Sequence, residues 1–200
     1  LTANYSHYRN EVLELEDDQI VTSFLGGEKI TRAGQPMGLC YGYRSLGVFT
    51  TQAEPDQAQL LEKSGRMFNA GDLHFEDLDD NGIIDEEDKT IIGDPHPDYT
   101  IGLSNSFSFK GFSLSFLVYY MKGVDVFNYM RSQTESMSGF ENQTTAVYNR
   151  WITDGQNTSI PKASFNGPMG NNRFSNRWIE VNGYLSYLLI STWVILMQHT

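Results

Sequence analysis

The chain has 200 residues, 40% of them hydrophobic and 13% aromatic, with one cysteine and a formal charge of −11. That length can bury one core, and the wealth of aromatic, Ser, Thr, Asn and Gly residues is β-rich composition, not that of a helical bundle. Clustered Lys and Arg are absent, which excludes a nucleic-acid partner, and the lone Cys40 excludes a disulfide framework or a thiolate metal site.

In chain order, Thr2 to Leu15 reads as a strand and is followed by a long irregular region to about residue 98. Inside that region Pro55 to Ser64 has a helix start and helical residues. The acidity is local. Asp72, Glu76, Asp77, Asp79, Asp80, Asp85, Glu86, Glu87 and Asp88 fall in one window without Lys or Arg, and without these nine the chain carries only −2.

Residues 77–88 match a twelve-residue calcium loop position by position. Asp77, Asp79 and Asn81 stand at positions 1, 3 and 5, and Gly82 stands at position 6, where the chain must turn sharply. Ile83 at position 7 offers its backbone carbonyl. Asp85 is at 9, and Asp88 closes the loop at 12. Calcium is a hard cation that takes six to eight oxygens, and alternate side chains of a tightly curled loop converge on one point. Asp88 replaces the usual bidentate Glu with a shorter arm. Ile84 is the apolar anchor. Clear flanking helices are lacking, so the loop reads as a structural calcium insert rather than a sensor. Magnesium suits this crowded geometry less well.

The strongest regular pattern follows. Tyr99, Ile101, Leu103, Phe107 and Phe109 alternate with Thr100, Gly102, Ser104, Ser106 and Ser108, and Asn105 breaks the apolar row. Lys110-Gly111 predicts a tight turn. Phe112, Leu114, Phe116, Val118 and Tyr120 then alternate with Ser113, Ser115, Leu117, Tyr119 and Met121. This is a hairpin with arms of about ten residues, the length of a tilted membrane strand. A soluble sandwich gives the same alternation. Small hydroxyls and Gly on the polar face, aromatics at both ends of each arm, and connections of very unequal length favour a membrane barrel.

A second long region runs from about 122 to 176, with a short helix expected at Thr145 to Trp151 and coil at 155–172. A strand resumes at 177–190. Short turns face the periplasm and long loops the outside in such barrels, so 2–15 and 112–121 run outward while 99–109 and 177–190 run inward. No charged segment followed by an apolar one marks a signal peptide. His7, His74, His96 and His199 lack metal-ligand spacing. Tyr41, Tyr43 and Trp151 read as loop packing before substrate contacts, and substrate-binding residues stay unknown. No nucleophile elbow, phosphate loop or His cluster is present, so no catalytic residue is assigned and the chain reads as a non-enzyme.

These motifs carry a family resemblance. Gly71-Asp72-Leu73-His74-Phe75-Glu76-Asp77, the calcium-type loop, and Thr90-Ile91-Ile92-Gly93-Asp94-Pro95-His96-Pro97 resemble SusC/RagA-type TonB-dependent receptors. So do Tyr99-Thr100-Ile101-Gly102-Leu103 and Phe109-Lys110-Gly111-Phe112. Upstream, Tyr8-Arg9-Asn10-Glu11-Val12, Gly34-Gln35-Pro36-Met37-Gly38, Tyr41-Gly42-Tyr43 and Gly47-Val48-Phe49 are similar to the same family. Asn149-Arg150-Trp151, Phe174-Ser175 and Trp178-Ile179-Glu180 extend the match to about residue 185.

The resemblance implies an all-β fold, a partial transmembrane antiparallel β-barrel with about four strands of a 22-stranded barrel and long extracellular loops. It implies residence in the Gram-negative outer membrane, in contact with its lipid, and import of oligosaccharides or peptides. Its implied partners are a SusD-like surface lipoprotein and the TonB complex, the latter through an N-terminal part not included here. Residues 1–185 are then the barrel portion with the calcium-type loop outside. Residues 186–200 run apolar without period 2 and are expected to be an aberrant or truncated tail. The alternative is a soluble calcium-stabilised β module for glycan binding or adhesion.

Overall fold

The computed structural model of the chain describes residues 1–181 and 184–193. Its strands and helices in order are β1 (Thr2–Ser6), β2 (Gln19–Phe24), β3 (Gly27–Arg32), β4 (Leu39–Tyr43), β5 (Ser45–Val48), α1 (Ala53–Ala58), β6 (Leu61–Glu62), β7 (Leu73–Phe75), β8 (Ile83–Ile84) and β9 (Lys89–Gly93). They continue with β10 (Tyr99–Phe109), β11 (Phe112–Lys122), β12 (Asp125–Phe127), α2 (Tyr129–Thr134), β13 (Ile179–Val181) and β14 (Tyr184–Trp193). The protein is mostly strand, and its three longest strands join β1 in one antiparallel sheet in the order β1-β10-β11-β14. The sheet is open, as four strands of a larger barrel must be.

The hairpin β10–β11 is the one expected from the period-2 pattern. Its register runs from Tyr99 opposite Lys122 to Phe109 opposite Phe112. Lys110 (φ 44°) and Gly111 (φ 81°) make the two-residue turn. Two successive left-handed residues match the right-handed twist of the flanking strands. Eleven residues rising about 3.3 Å each, tilted about 45°, cover roughly the 25 Å of a barrel's apolar band.

The two faces of this wall differ as a membrane demands. On one face, Tyr5 lies 5.8 Å from Tyr99, and Tyr99 lies 6.2 Å from Tyr120, ring centre to ring centre. Phe107 and Phe116 pair nearer the turn, at 6.4 Å. Aromatics thus rim both ends of an aliphatic stretch, and Phe109 is 71% exposed. On the other face hydroxyls pair across the strands, Ser108 with Ser113 at 2.9 Å and Ser115 with Ser106 at 3.0 Å. The apolar face is the lipid side and the hydroxyl face the lumen.

Several boundaries differ from the sequence reading. The first strand ends at Ser6, not Leu15. Beyond it the chain leaves the sheet, and Val12 exchanges backbone hydrogen bonds with Gly34 and Gln35. The expected strand at 177–190 is two elements. A 3₁₀ turn at Asn176–Trp178 leads into β13, which pairs with β12, and β14 joins the wall from Tyr184. Residues 186–193 of the expected tail lie within β14, and 194–200 lie outside the described residues. The helix at 55–64 is only α1, because Gln59 turns left-handed (φ 54°) and the chain departs to bury Leu60. So short a helix gains little from propagation, and the tertiary contact wins. Thr145–Asn149 is a 3₁₀ helix rather than an α-helix.

The larger departure concerns the long loops, which are not irregular. The first folds into a four-stranded sheet, β2-β3-β4-β9, with the small pairs β5-β7 and β6-β8 beside it. The main buried cluster lies here: Tyr43, Val48, Phe49, Leu60, Phe68, Leu73, Phe75, Ile84 and Met169. The second loop packs onto the first. Tyr43 N donates to Phe174 O at 3.0 Å, Trp151 Nε1 to Thr50 O at 3.0 Å, and the Asn176 side-chain amide clamps Ser45, Oδ1 accepting from its N and Nδ2 donating to its O. The loops together form one folded layer.

Candidate metal centre

β7 delivers the chain into the acidic loop. At the loop's middle β8 pairs in parallel with β6, Leu61 opposite Ile83, and Leu61 N donates to Gly82 O at 2.8 Å. Ile84 is fully buried in the main cluster, which is the anchor expected of it. Asp80 (φ 56°) and Gly82 (φ 78°) take left-handed conformations. Gly82 therefore sits where a side chain would strain the turn.

Three of the expected ligands converge. One carboxylate oxygen from each of Asp77, Asp79 and Asp88 lies within 4.8 Å of the others. The backbone curls around them as the spacing demands. Asp77 Oδ1 accepts from Asn81 N at 3.2 Å and its Oδ2 from Gly82 N at 2.8 Å. Asp88 is fully buried, with Oδ1 accepting from Leu78 N at 2.7 Å and Oδ2 from Asp85 N at 2.8 Å. Each oxygen keeps a second lone pair, so these bonds orient the carboxylate without using it up.

The other expected ligands are engaged elsewhere. Asn81 Oδ1 accepts from Ile83 N at 2.6 Å, and its Nδ2 donates to Asp79 Oδ2 at 2.8 Å. Asp85 does not join the carboxylate group. Its Oδ1 accepts from Glu87 N at 3.0 Å and caps the 3₁₀ turn Glu86–Asp88. Ile83 lies in β8, with its N–H given to Asn81. The donors that meet are all carboxylate oxygens, a hard set suited to calcium and not to a soft metal. Burial raises the pKa of Asp88 above its ordinary value, and the neighbouring charges of Asp77 and Asp79 add to that against the two N–H donors.

Not all nine acids belong to this centre. Asp72 is fully buried away from it, against Lys162 Nζ (3.0 Å) and Asn171 Nδ2 (3.0 Å). Glu76 pairs with Arg44 at 3.1 Å, and Glu86 with Lys89 at 2.6 Å. Arg173, which the sequence reading passed over, ties the second loop to the exit of the acidic loop. It bonds Glu62, reaches Ile84 O at 3.4 Å, and lies over the ring of Tyr43 at 5.1 Å. Its only sequence signal was a lone cation in a Gly/Asn-rich stretch. Tyr43 is buried beneath it, and Trp151 packs against Gly71.

No family model matches the chain. Curated proteins do. The chain is 31% identical over 189 residues to TonB-dependent receptor P3 of Formosa agariphila, covering 91% of this chain and 18% of that protein. It is 25% identical over 217 residues to TonB-dependent receptor P39 of the same organism, covering 92% of this chain and 20% of that protein. A solved structure of the RagAB peptide transporter superposes with a TM-score of 0.62 at 20% identity, over 92% of this chain and 19% of that one. The chain spans about a fifth of the length of the relatives it matches. With the open wall of long antiparallel strands and the outer layer of folded loops, these matches place the chain among the TonB-dependent receptors, in the outer membrane of a Gram-negative cell, as a portion of the receptor's barrel.

Proposed function

We propose that this chain supplies part of the wall and outer loops of an active importer for oligosaccharides or peptides, driven by the TonB complex and covered by a SusD-like surface lipoprotein. The observation that carries the reading is the β10–β11 hairpin, with an aromatic-rimmed apolar face outside and a hydroxyl face inside. The soluble β-module reading would leave that apolar face in water, where it would drive aggregation. The test is uptake by cells carrying the intact receptor and its lipoprotein, using labelled oligopeptides and labelled oligosaccharides, with TonB present or deleted. One class should accumulate, and only with TonB. Accumulation of neither, or equal accumulation without TonB, overturns the proposal.

To loop 77–88 we assign one structural calcium, held by Asp77, Asp79 and Asp88. Asn81 and Asp85 join only if their side chains release the N–H groups of Ile83 and Glu87, and Ile83 would add its carbonyl. Titrating calcium into the receptor should give one saturable binding event, removed by replacing Asp77 and Asp79 with Asn. A wild-type titration without heat or spectral change rejects the assignment.

Proton and cation compete for Asp88. Its pKa is raised in the metal-free fold. Its stabilising contribution is therefore present below the ordinary carboxylate range and lost as pH rises through the raised value. Calcium replaces that proton, so the calcium-induced rise in melting temperature should grow over the same window as pH increases. A rise independent of pH there would mean that Asp88 is not a ligand.

A further inference from the structure

Along the hairpin from Tyr99 to Lys122 only two residues carry charge, and both are lysines. Lys110 stands in the β10–β11 turn and Lys122 closes β11, so one marks each end of the wall. Both are exposed, and each lies over an aromatic ring of the lipid face. Lys110 Nζ is 5.4 Å from the centre of the Phe109 ring, and Lys122 Nζ is 5.8 Å from that of Tyr99. The strand between them covers roughly the 25 Å of an apolar band. Each ammonium is therefore held at headgroup depth rather than among lipid tails.

The outer end carries more polar groups. Lys122 stands opposite Tyr99 in the register, so it follows Phe116, Val118 and Tyr120 on the lipid side at a spacing of two. Beside it the rings of Tyr5, Tyr99 and Tyr120 form a row, with neighbouring centres 5.8 and 6.2 Å apart. Tyr5 is 66% exposed. Phenol rings at a membrane interface keep an apolar body in the lipid and bring a hydroxyl to the headgroups. No carboxylate answers the ammonium, because among the described residues Lys122 makes no ion pair. Asp98, next to Tyr99 in the chain, lies against Gly123 instead.

We propose that Lys122, with the phenols of Tyr99 and Tyr5, binds a phosphate of the outer-leaflet lipid. Position and charge select the occupant. The site continues the lipid-facing wall, so lipid covers it. An ammonium offers three N–H donors and no acceptor, and the lipid group that complements it at this depth is an anionic phosphate. In the outer leaflet of a Gram-negative outer membrane that phosphate belongs to lipid A. The inference needs the barrel wall and not the import of any solute.

The experiment uses the intact receptor in detergent, mixed with diphosphorylated lipid A, with the same lipid stripped of its phosphates, or with inorganic phosphate. A short acetylation pulse, read by peptide mass spectrometry, reports how freely Lys122 reacts. It should react about fivefold more slowly beside the phosphorylated lipid than beside the stripped one, the effect of one lysine at an anionic lipid surface. Native mass spectrometry then counts bound lipid A at one lipid concentration. Lys122→Gln should retain one molecule fewer than the wild type. Lys122→Arg should retain the wild-type number, since a guanidinium also binds phosphate. A side chain that only shields apolar surface predicts no difference between the two variants. Gel mobility with and without heating checks that each variant is folded. Equal acetylation in the two lipids overturns the proposal, and so does a wild-type lipid count in Lys122→Gln or a lowered one in Lys122→Arg. Protection by inorganic phosphate alone would make this a plain anion site and overturn the lipid assignment.

Discussion

Replacing Asp72 with Ala will separate the two extracellular loops while leaving the barrel wall in place. Asp72 is fully buried, and one carboxylate satisfies three groups: Lys162 Nζ, Asn171 Nδ2 and the backbone N of Asn69, each at 3.0 Å. Asn171 returns the favour through Oδ1, which accepts from Leu73 N at 2.9 Å. Beside this network Gly71 (φ 84°) lies against the ring of Trp151, where a Cβ would come within 2.5 Å of a ring carbon. Removing one member of a buried ion pair costs about 3–5 kcal/mol, because the other charge stays desolvated. Lys162 keeps partial solvent contact, so the low end applies, about 3 kcal/mol. That is roughly a hundredfold loss of hydrogen-exchange protection. The measurement is exchange mass spectrometry on the intact receptor, following 69–75 and 160–175 against 99–122. Wild-type protection of the loop segments in Asp72→Ala would show that the ion pair does not hold them together. Asp72→Asn, which keeps the shape but not the charge, should fall between.

Placing a charge on the lipid side of the wall will cost more than placing it on the lumen side one residue along the register. Val118 stands opposite Leu103 on the apolar face, near mid-strand. Arg there should cost about 2–4 kcal/mol, the penalty for a cation at the bilayer midplane. Ser104, opposite Leu117, is on the hydroxyl face, and Arg there should cost under about 1 kcal/mol, since lumen substitutions meet water. Urea unfolding of the receptor in lipid vesicles, read by gel mobility of the folded and unfolded forms, measures both. If Ser104→Arg is the damaging one, the two faces are assigned the wrong way round.

The parts of the protein readable from its residues are those encoded locally. The hairpin is one: a period of 2 puts each side chain on a face regardless of the rest of the chain, and Lys110-Gly111 accepts the two left-handed conformations that the turn requires. The acidic loop is another, at least at Asp77, Asp79, Gly82 and Asp88, because their spacing within twelve residues forces the backbone to curl and the carboxylates to meet. Asp85 escaped that reading. It had a local competitor, the free N–H of Glu87 at the start of a 3₁₀ turn, and spacing alone does not decide between two local uses of one side chain.

The ends of the wall strands and the character of the loops followed no such local rule. Thr2 to Leu15 reads as one strand, yet only β1 finds a partner in β10, and Val12 bonds Gly34 and Gln35 instead. Ser45 and Asn176 meet across 131 positions, and Leu73 and Asn171 across 98. Contacts at such separation carry no periodic signature, because either partner alone looks like an ordinary loop residue.

The sequence by itself thus determined the transmembrane hairpin, the side of it that meets lipid, and the place of an acidic loop whose carboxylates converge. Each is a property of neighbours along the chain, and steric and hydrophobic preferences act on neighbours directly. Tertiary structure alone decided that the two long loops fold into one layer around a shared core, and that Asp72 belongs to that core rather than to the acidic loop. Burial and charge balance are sums over residues that only the folded chain brings together.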